Sequence, residues 1–372
     1  MPHLCLYSSH HLINLTARLD NPMEWNYDYL PGWGHTSREI NMTSRRLIQV
    51  CAASLVFSVT AASASAQTAE PEAIVNALFA ASGNHPNVRA GGAKGVCVKG
   101  SFTPSPEAAG LSKAPHFANT VQVTARFSMF GGNPNISDKT KPVTRGFAVR
   151  FGEPSGDMVL VFISAPMFGS RTPHQVLEGL RARLPGPDGK PDAEKIRAFQ
   201  AANPETGRQA AWLNARPVPA SFAGVDYWAV HAFTLTNAHG EAKVAKLKAV
   251  ATAGQLRLSD EELKAKPDNF YVDELKERLA KGPASFELIA ILGEATDPTD
   301  DVTATWPEEN RKVVKLGTIA ITALEPNPTC DAATFDPVVN LPDGVAGPGN
   351  DPMFAIRSPA YAISLSRRSQ GK

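Results

Sequence analysis

The sequence predicts an α+β fold: an eight-stranded antiparallel β-barrel with helices packed around it. Three observations carry this reading. Eight short runs rich in β-branched and aromatic residues follow one another between Lys94 and Leu324. Several of them alternate apolar and polar residues with period two, the mark of a strand with one buried face. Helical spacing is confined to segments before, between and after these runs. Eight antiparallel strands can close on themselves, which leaves no exposed sheet edge.

The elements follow in order. PEAIVNALFAAS, Pro71–Ser82, reads as a short amphipathic helix stopped by Gly83. The first four strands are expected over Lys94–Phe102, Val121–Ser128, Arg145–Phe151 and Met158–Ser164. In the second of these, Val123, Ala125 and Phe127 alternate with Gln122, Thr124 and Arg126. Helical spacing then appears in Pro173–Arg183 and Ala193–Ala202. Four further strands are expected over Tyr227–Thr236, Ala242–Thr252, Phe286–Leu292 and Val313–Leu324. Between the sixth and seventh, Ser259-Asp-Glu-Glu262 forms a capping box. Phe270–Ala280 follows as a helix with Val272, Leu275 and Leu279 as its apolar face and a Glu274–Arg278 pair.

The N-terminus reads differently. Residues 1–41 show neither helical nor strand period and look like a gene-start artefact or a disordered extension. Arg45 and Arg46, the apolar run Leu47–Ala62 and Ala64-Ser-Ala66 then compose an export signal over 42–66, cut after Ala66. The arginine pair also hints at twin-arginine export. The apolar run is short for a membrane span, and none is expected in the mature chain. Residues 67–372 form one barrel domain, placed in the periplasm or secreted. Two cysteines, Cys97 and Cys330, remain in it; an oxidising compartment permits a disulfide, and the sequence leaves open whether they meet.

The net charge of +1 gives no electrostatic footprint for nucleic acid or an anionic membrane. The sequence contains no G-x-S-x-G elbow, H-E-x-x-H or C-x-x-C motif. Gly91-Gly92-Ala-Lys94-Gly lacks the spacing of a phosphate loop, and no nicotinamide site is marked. His231 and His239 have no third metal ligand beside them in the pattern.

Chemistry concentrates at the C-terminus. Asn350-Asp351-Pro352 is a helix start, with a capping side chain followed by proline. The helix expected from Met353 to about Arg367 carries Arg357 and Tyr361, whose spacing of four puts them on one face. A guanidinium beside a phenol stabilises the phenolate that binds iron. Ser358, Ala360 and Ala362 would let a flat macrocycle approach the backbone. Pro359 interrupts this span with a missing backbone donor.

Five collinear segments give these residues a context. Arg89-Ala-Gly-Gly-Ala-Lys-Gly95, Arg126-Phe-Ser128, Arg145-Gly-Phe-Ala-Val-Arg-Phe151, Asp297-Pro-Thr-Asp-Asp-Val-Thr-Ala-Thr-Trp306 and Phe335-Asp-Pro337 through Arg357-Ser-Pro-Ala-Tyr361 occur in that order. Together they resemble the catalases, in particular the small exported catalase-related haem peroxidases. The resemblance implies the same barrel and a haem b cofactor. It implies Tyr361 as the axial ligand of the haem iron, Arg357 as the holder of its charge, and Arg89 and Arg126 as partners of the haem propionates. It implies hydrogen peroxide or an organic hydroperoxide as substrate and a small organic electron donor.

The pattern is broken at one position of consequence. The family's distal histidine falls on Gly92, which can neither accept nor deliver a proton; Ser128 would lie near the distal pocket without its usual partner. Loss of a general acid–base group typically costs about 10²–10⁴ in rate. The asparagine of the fourth strand is replaced by Ile163. His85 and His116 are the histidines that could substitute. Two alternatives therefore stand beside a peroxidase: a haem-binding barrel with little turnover, and a hydroperoxide isomerase.

Overall fold

The computed structural model describes residues 70–152, 156–332 and 334–370. The extension and the export signal expected before residue 67 lie outside them. Helix α1 covers 70–81. The first barrel half is β1 (Gly95–Pro104), β2 (Val121–Met129), β3 (Arg145–Phe151) and β4 (Met158–Ile163). Helices α2 (Pro173–Arg181), α3 (Ala193–Ala202) and α4 (Arg208–Asn214) separate it from β5 (Tyr227–Thr236) and β6 (Ala242–Ala251). Then come α5 (Asp260–Ala265), α6 (Phe270–Leu279), β7 (Ala284–Leu292) and β8 (Val313–Glu325). The chain ends in α7 (Asn327–Asp331), β9 (Val345–Ala346), α8 (Pro352–Ala355) and α9 (Arg357–Ser369).

All pairings are antiparallel, in the order β4-β3-β2-β1-β8-β7-β6-β5, and the contact of Ile163 with Trp228 joins β4 to β5 and closes the barrel. The short β9 adds to β5 at Thr234 and Leu235. Strand alternation fills the interior: Phe127, Phe147, Phe162, Tyr227 and Phe286 are all fully buried. Phe127 and Phe147 are cross-strand partners whose rings stack with centroids 4.6 Å apart. Each such ring contributes about 1.5–3 kcal/mol by leaving water, and the stacked pair adds about 0.5–1.5 kcal/mol. Inside the barrel, the Tyr227 hydroxyl donates to the Phe222 carbonyl at 2.9 Å, which satisfies a buried phenol.

Three expectations shift. Strand ends move by one or two residues, as element boundaries do. The buried face of α6 is Phe270, Tyr271 and Leu275, with Val272 exposed. Tyr271 decides that rotation: its hydroxyl accepts from Arg145 Nε at 3.0 Å and donates to the Pro219 carbonyl at 3.0 Å. The C-terminal helix is divided at Ile356 into α8 and α9. Pro359 thus falls in the first turn of α9, where backbone N–H groups have no helical acceptor anyway. The Ser259 capping box forms as expected, with both its hydrogen bonds present. Among the described residues no helix is long and apolar enough to cross a membrane.

Candidate functional site

The residues that alternate away from the barrel interior build the site. Arg126 and Ser128 of β2, Gly146 and Ala148 of β3, Val161 and Ile163 of β4 and Trp228 of β5 all line one cavity of about 300 Å³. Helix α1, the 89–92 turn and α9 complete its walls. In β5 the register jumps between Ala229 and Ala232, and the two residues inside that bulge, Val230 and His231, both reach the cavity. A bulge of this kind re-aims side chains beside functional sites.

Tyr361 and Arg357 share the cavity face of α9, as their spacing predicts. Arg357 Nη2 donates to the Tyr361 hydroxyl at 2.9 Å, and Nη1 lies 2.9 Å from His231 Nε2. The other imidazole nitrogen, Nδ1, is 2.6 Å from Asp351 Oδ2. Nε2 must accept from a guanidinium that is always a donor, so the proton sits on Nδ1 and is donated to Asp351. Burial pushes the His231 pKa down to about 4, with the Arg357 charge adding to it and the Asp351 hydrogen bond opposing it. The imidazole is therefore neutral and serves as an acceptor that orients Arg357. Asp351 also caps α8: Oδ1 accepts from the backbone of Met353 at 2.8 Å and Phe354 at 3.3 Å.

Arginines gather elsewhere along the wall. Arg89 and Arg126 line the cavity and are buried, and Arg368 joins them from the last turn of α9. Burial lowers all three pKa values; Arg126 and Arg368 each fall to about 10, with the Arg89 charge as a further cause. Arg126 donates Nη1 to the Gly92 carbonyl at 2.6 Å and Nη2 to the Ala93 carbonyl at 3.0 Å. Its Nε is buried with no hydrogen-bond partner among the described residues. Arg89 donates to the Cys330 carbonyl at 2.6 Å and meets the Asp331 carboxylate at 3.5 Å.

Gly92 lines the cavity with φ +68°, and a Cβ there would stand 3.1 Å from Ser128 Oγ. Gly92 and Ser128 thus stand side by side in the cavity wall. Neither His85 nor His116 lines the cavity, which removes both as substitutes. His116 is fully buried with Nε2 3.0 Å from the Gly156 carbonyl. Of the three small residues expected against a macrocycle, Ala360 alone is part of the wall; Ser358 and Ala362 turn elsewhere on the helix.

Sequence reasoning misses His231, Asp351 and Arg368 as members of the site. The pattern shows His231 without a third metal ligand, whereas its partners in the fold are an arginine and a helix cap. The signal available is Asp351 itself, a capping carboxylate that opens the segment leading to Arg357 and Tyr361. Arg368 lies seven residues after Tyr361, two helical turns along the same face.

The family model described as Catalase matches residues 79–371. A catalase-related peroxidase of Synechococcus elongatus is 35% identical over 333 residues, covering 88% of this chain and 97% of that protein. One of Mycolicibacterium paratuberculosis is 32% identical over 304 residues, covering 80% of this chain and 95% of that protein. Catalase A from Saccharomyces cerevisiae superposes with a TM-score of 0.68 at 20% identity, over 76% of this chain and 62% of that one. The chain thus spans less than two thirds of that solved catalase and nearly all of the two catalase-related peroxidases. It belongs to the catalase family and is an oxidoreductase of the catalase-related peroxidase kind.

The family implies a haem cofactor, and the residues present fit one. The cavity offers a phenol held by a guanidinium, which suits ferric iron in the tyrosine-ligated mode. It also offers mutually repelling guanidiniums and an orphaned Arg126 donor, which suit the carboxylates of the propionates.

Proposed function

We propose that the protein is a haem b peroxidase that reduces hydrogen peroxide or an organic hydroperoxide and oxidises a small organic donor. The observation that carries this is the 2.9 Å hydrogen bond from Arg357 to the Tyr361 hydroxyl within the cavity. When bound, ferric haem supplies the metal centre at which the peroxide O–O bond is cleaved. Tyr361 would hold the iron through its phenol oxygen. Arg357 holds the phenolate charge, while His231 and Asp351 hold Arg357. Arg89, Arg126 and Arg368 bind the propionates. The apolar remainder of the wall lowers the local dielectric and strengthens these interactions. The overall conversion is ROOH + 2 AH → ROH + H₂O + 2 A•, with one electron and one proton drawn from each donor.

Gly92 favours a second reading, a haem-binding barrel with little turnover. Ser128 offers a hydroxyl at that wall and no imidazole stands beside it, so proton transfer to the leaving oxygen falls to solvent. We also propose export, with the mature chain beginning at Gln67. The Cys97–Cys330 disulfide supports an oxidising compartment, and N-terminal sequencing of the protein recovered from the periplasm or medium tests the boundary.

The deciding experiment is the ultraviolet–visible spectrum of haem-loaded wild type and Tyr361→Phe, followed by peroxide-dependent oxidation of a chromogenic donor. A tyrosinate-type ferric spectrum that is lost in the variant, with donor oxidation by wild type, supports the peroxidase. The same spectrum without donor oxidation supports the second reading. Product analysis with an organic hydroperoxide separates reduction to the alcohol from rearrangement.

A further inference from the structure

Cys97 and Cys330 are joined by a disulfide across 233 positions of sequence, with their Cα atoms 5.7 Å apart. The bond ties β1 to α7. Both cysteines are buried, at 0% and 1% exposure, so the link is shielded from solvent. Its two arms reach the arginine cluster of the cavity. Cys97 is the cross-strand partner of Arg126 in the β1–β2 register. On the other arm, the Cys330 carbonyl accepts from Arg89 Nη2 at 2.6 Å. The next residue, Asp331, presents its carboxylate to Arg89 at 3.5 Å and its carbonyl to Arg368 Nε at 3.2 Å.

Helix α7 has five residues, of which Cys330 is the buried one. A helix that short has little stability of its own. Besides the disulfide, the Cys97 N–H donates to Asn327 Oδ1 at 3.0 Å, and the end of β8 that leads into the helix pairs with β1 at Glu325 and Cys97. The apolar cluster around the bond comprises four buried residues, with Val159 and Phe335 beside the cysteines. The acceptors that aim Arg89 and Arg368 therefore ride on a segment anchored at its start by β8 and at its end by the cross-link. Such fixing matters because three cations in a partly buried wall repel one another, and each can relax toward water if its acceptor moves.

We propose that the Cys97–Cys330 bond is a positioning device for a carboxylate-binding site. It sets the spacing of Arg89, Arg126 and Arg368, and through them the retention of the two haem propionates. This rests on the haem reading above. A disulfide that only stabilised the fold by restricting the unfolded chain would affect any bound macrocycle alike. One that positions the arginines affects a macrocycle through its carboxylates.

The test follows release of the cofactor to an excess of apo-globin, using wild type and Cys97→Ala/Cys330→Ala. Each is loaded with haem or with haem dimethyl ester, whose propionates carry no charge. The variant is expected to release haem about tenfold faster, the order of one weakened hydrogen bond to a charged group. Its release of the ester is expected to match that of wild type. Equal acceleration of both forms, or no acceleration in a folded variant, overturns the proposal. Wild type that retains neither form removes the haem reading and the positioning role with it. Should the alanine pair not fold, Cys97→Ala/Cys330→Val refills the lost volume. Dithiol reduction of loaded wild type, with the new thiols counted by alkylation, gives the same comparison without mutation.

Discussion

His231 Nε2 lies 2.9 Å from Arg357 Nη1, and this contact makes a buried neutral imidazole the acceptor that aims a guanidinium at Tyr361. The imidazole in turn leans on Asp351, which is itself 2% exposed and fixed by capping α8. The chain of contacts therefore runs from a helix cap to a phenol, and each member is oriented by the one before it.

Removal of His231 leaves the Asp351 carboxylate buried without its imidazole partner. Removing one partner of a buried hydrogen bond leaves the other unsatisfied at a cost of about 1–3 kcal/mol, and more when that group is charged. His231→Ala is accordingly expected to lose stability on that order in urea titration. Asp351→Asn keeps a good helix cap and should cost less than His231→Ala. The reverse order would show that the cap, and not the imidazole contact, dominates this corner.

The same imidazole gives the protein an acid-sensitive stability. Its pKa falls from the ordinary 6.5 to about 4 in the folded state, chiefly by burial. As pH drops below about 6.5 the unfolded chain takes up a proton that the folded protein refuses until about 4. Protons thus favour unfolding across that window, and stability rises with pH through it. The full contribution is about 3 kcal/mol at most. Urea midpoints between pH 4 and pH 7 should fall toward acid in wild type, with a shallower slope in His231→Ala. Parallel slopes would assign the acid sensitivity to other groups.

Arg357→Ala and Arg357→Lys separate charge from geometry. Lysine keeps a cation but cannot donate to His231 and Tyr361 from one planar fork. Both variants should therefore disturb the ferric spectrum of the haem-loaded protein, alanine more than lysine. A spectrum unchanged in both would detach Arg357 from the proposed ligand.

Much of the barrel and half of the phenol's surroundings are legible in the residues. Period-two alternation reports which strand face is buried, so the barrel is visible in Val123, Ala125 and Phe127 against Gln122, Thr124 and Arg126. Helical spacing places Arg357 with Tyr361. What escapes depends on contacts distant in sequence. His231 and Arg357 are 126 positions apart, and the bulge that turns His231 toward the cavity has no glycine or proline to announce it. The disulfide stays open at the level of sequence because pairing across 233 residues is a property of topology. The break at Ile356 escapes because Pro352 and Pro359 both fit helix starts, and one continuous helix accommodates the first alone.

Gly92 sets two physical demands against each other. Its φ of +68° lies in the left-handed region, where a side chain costs roughly 1–2 kcal/mol. A Cβ would also press on Ser128 Oγ at 3.1 Å, although that hydroxyl can rotate away. Gly92→Ala should thus destabilise the protein by about 1–2 kcal/mol without helping peroxide chemistry. Gly92→His carries the same strain but places an imidazole beside Ser128, where it can take a proton from peroxide and return it to the leaving oxygen. General acid–base groups contribute about 10²–10⁴ in rate, and strain and imperfect placement reduce the gain toward the lower end. The expected pair of results is a lower urea midpoint in both variants and faster peroxide consumption in Gly92→His alone. Rates are compared at equal haem content, since a strained turn beside Arg126 also touches the site proposed for the propionates. A folded, haem-loaded Gly92→His with wild-type rates would mean that the missing imidazole is not what limits turnover.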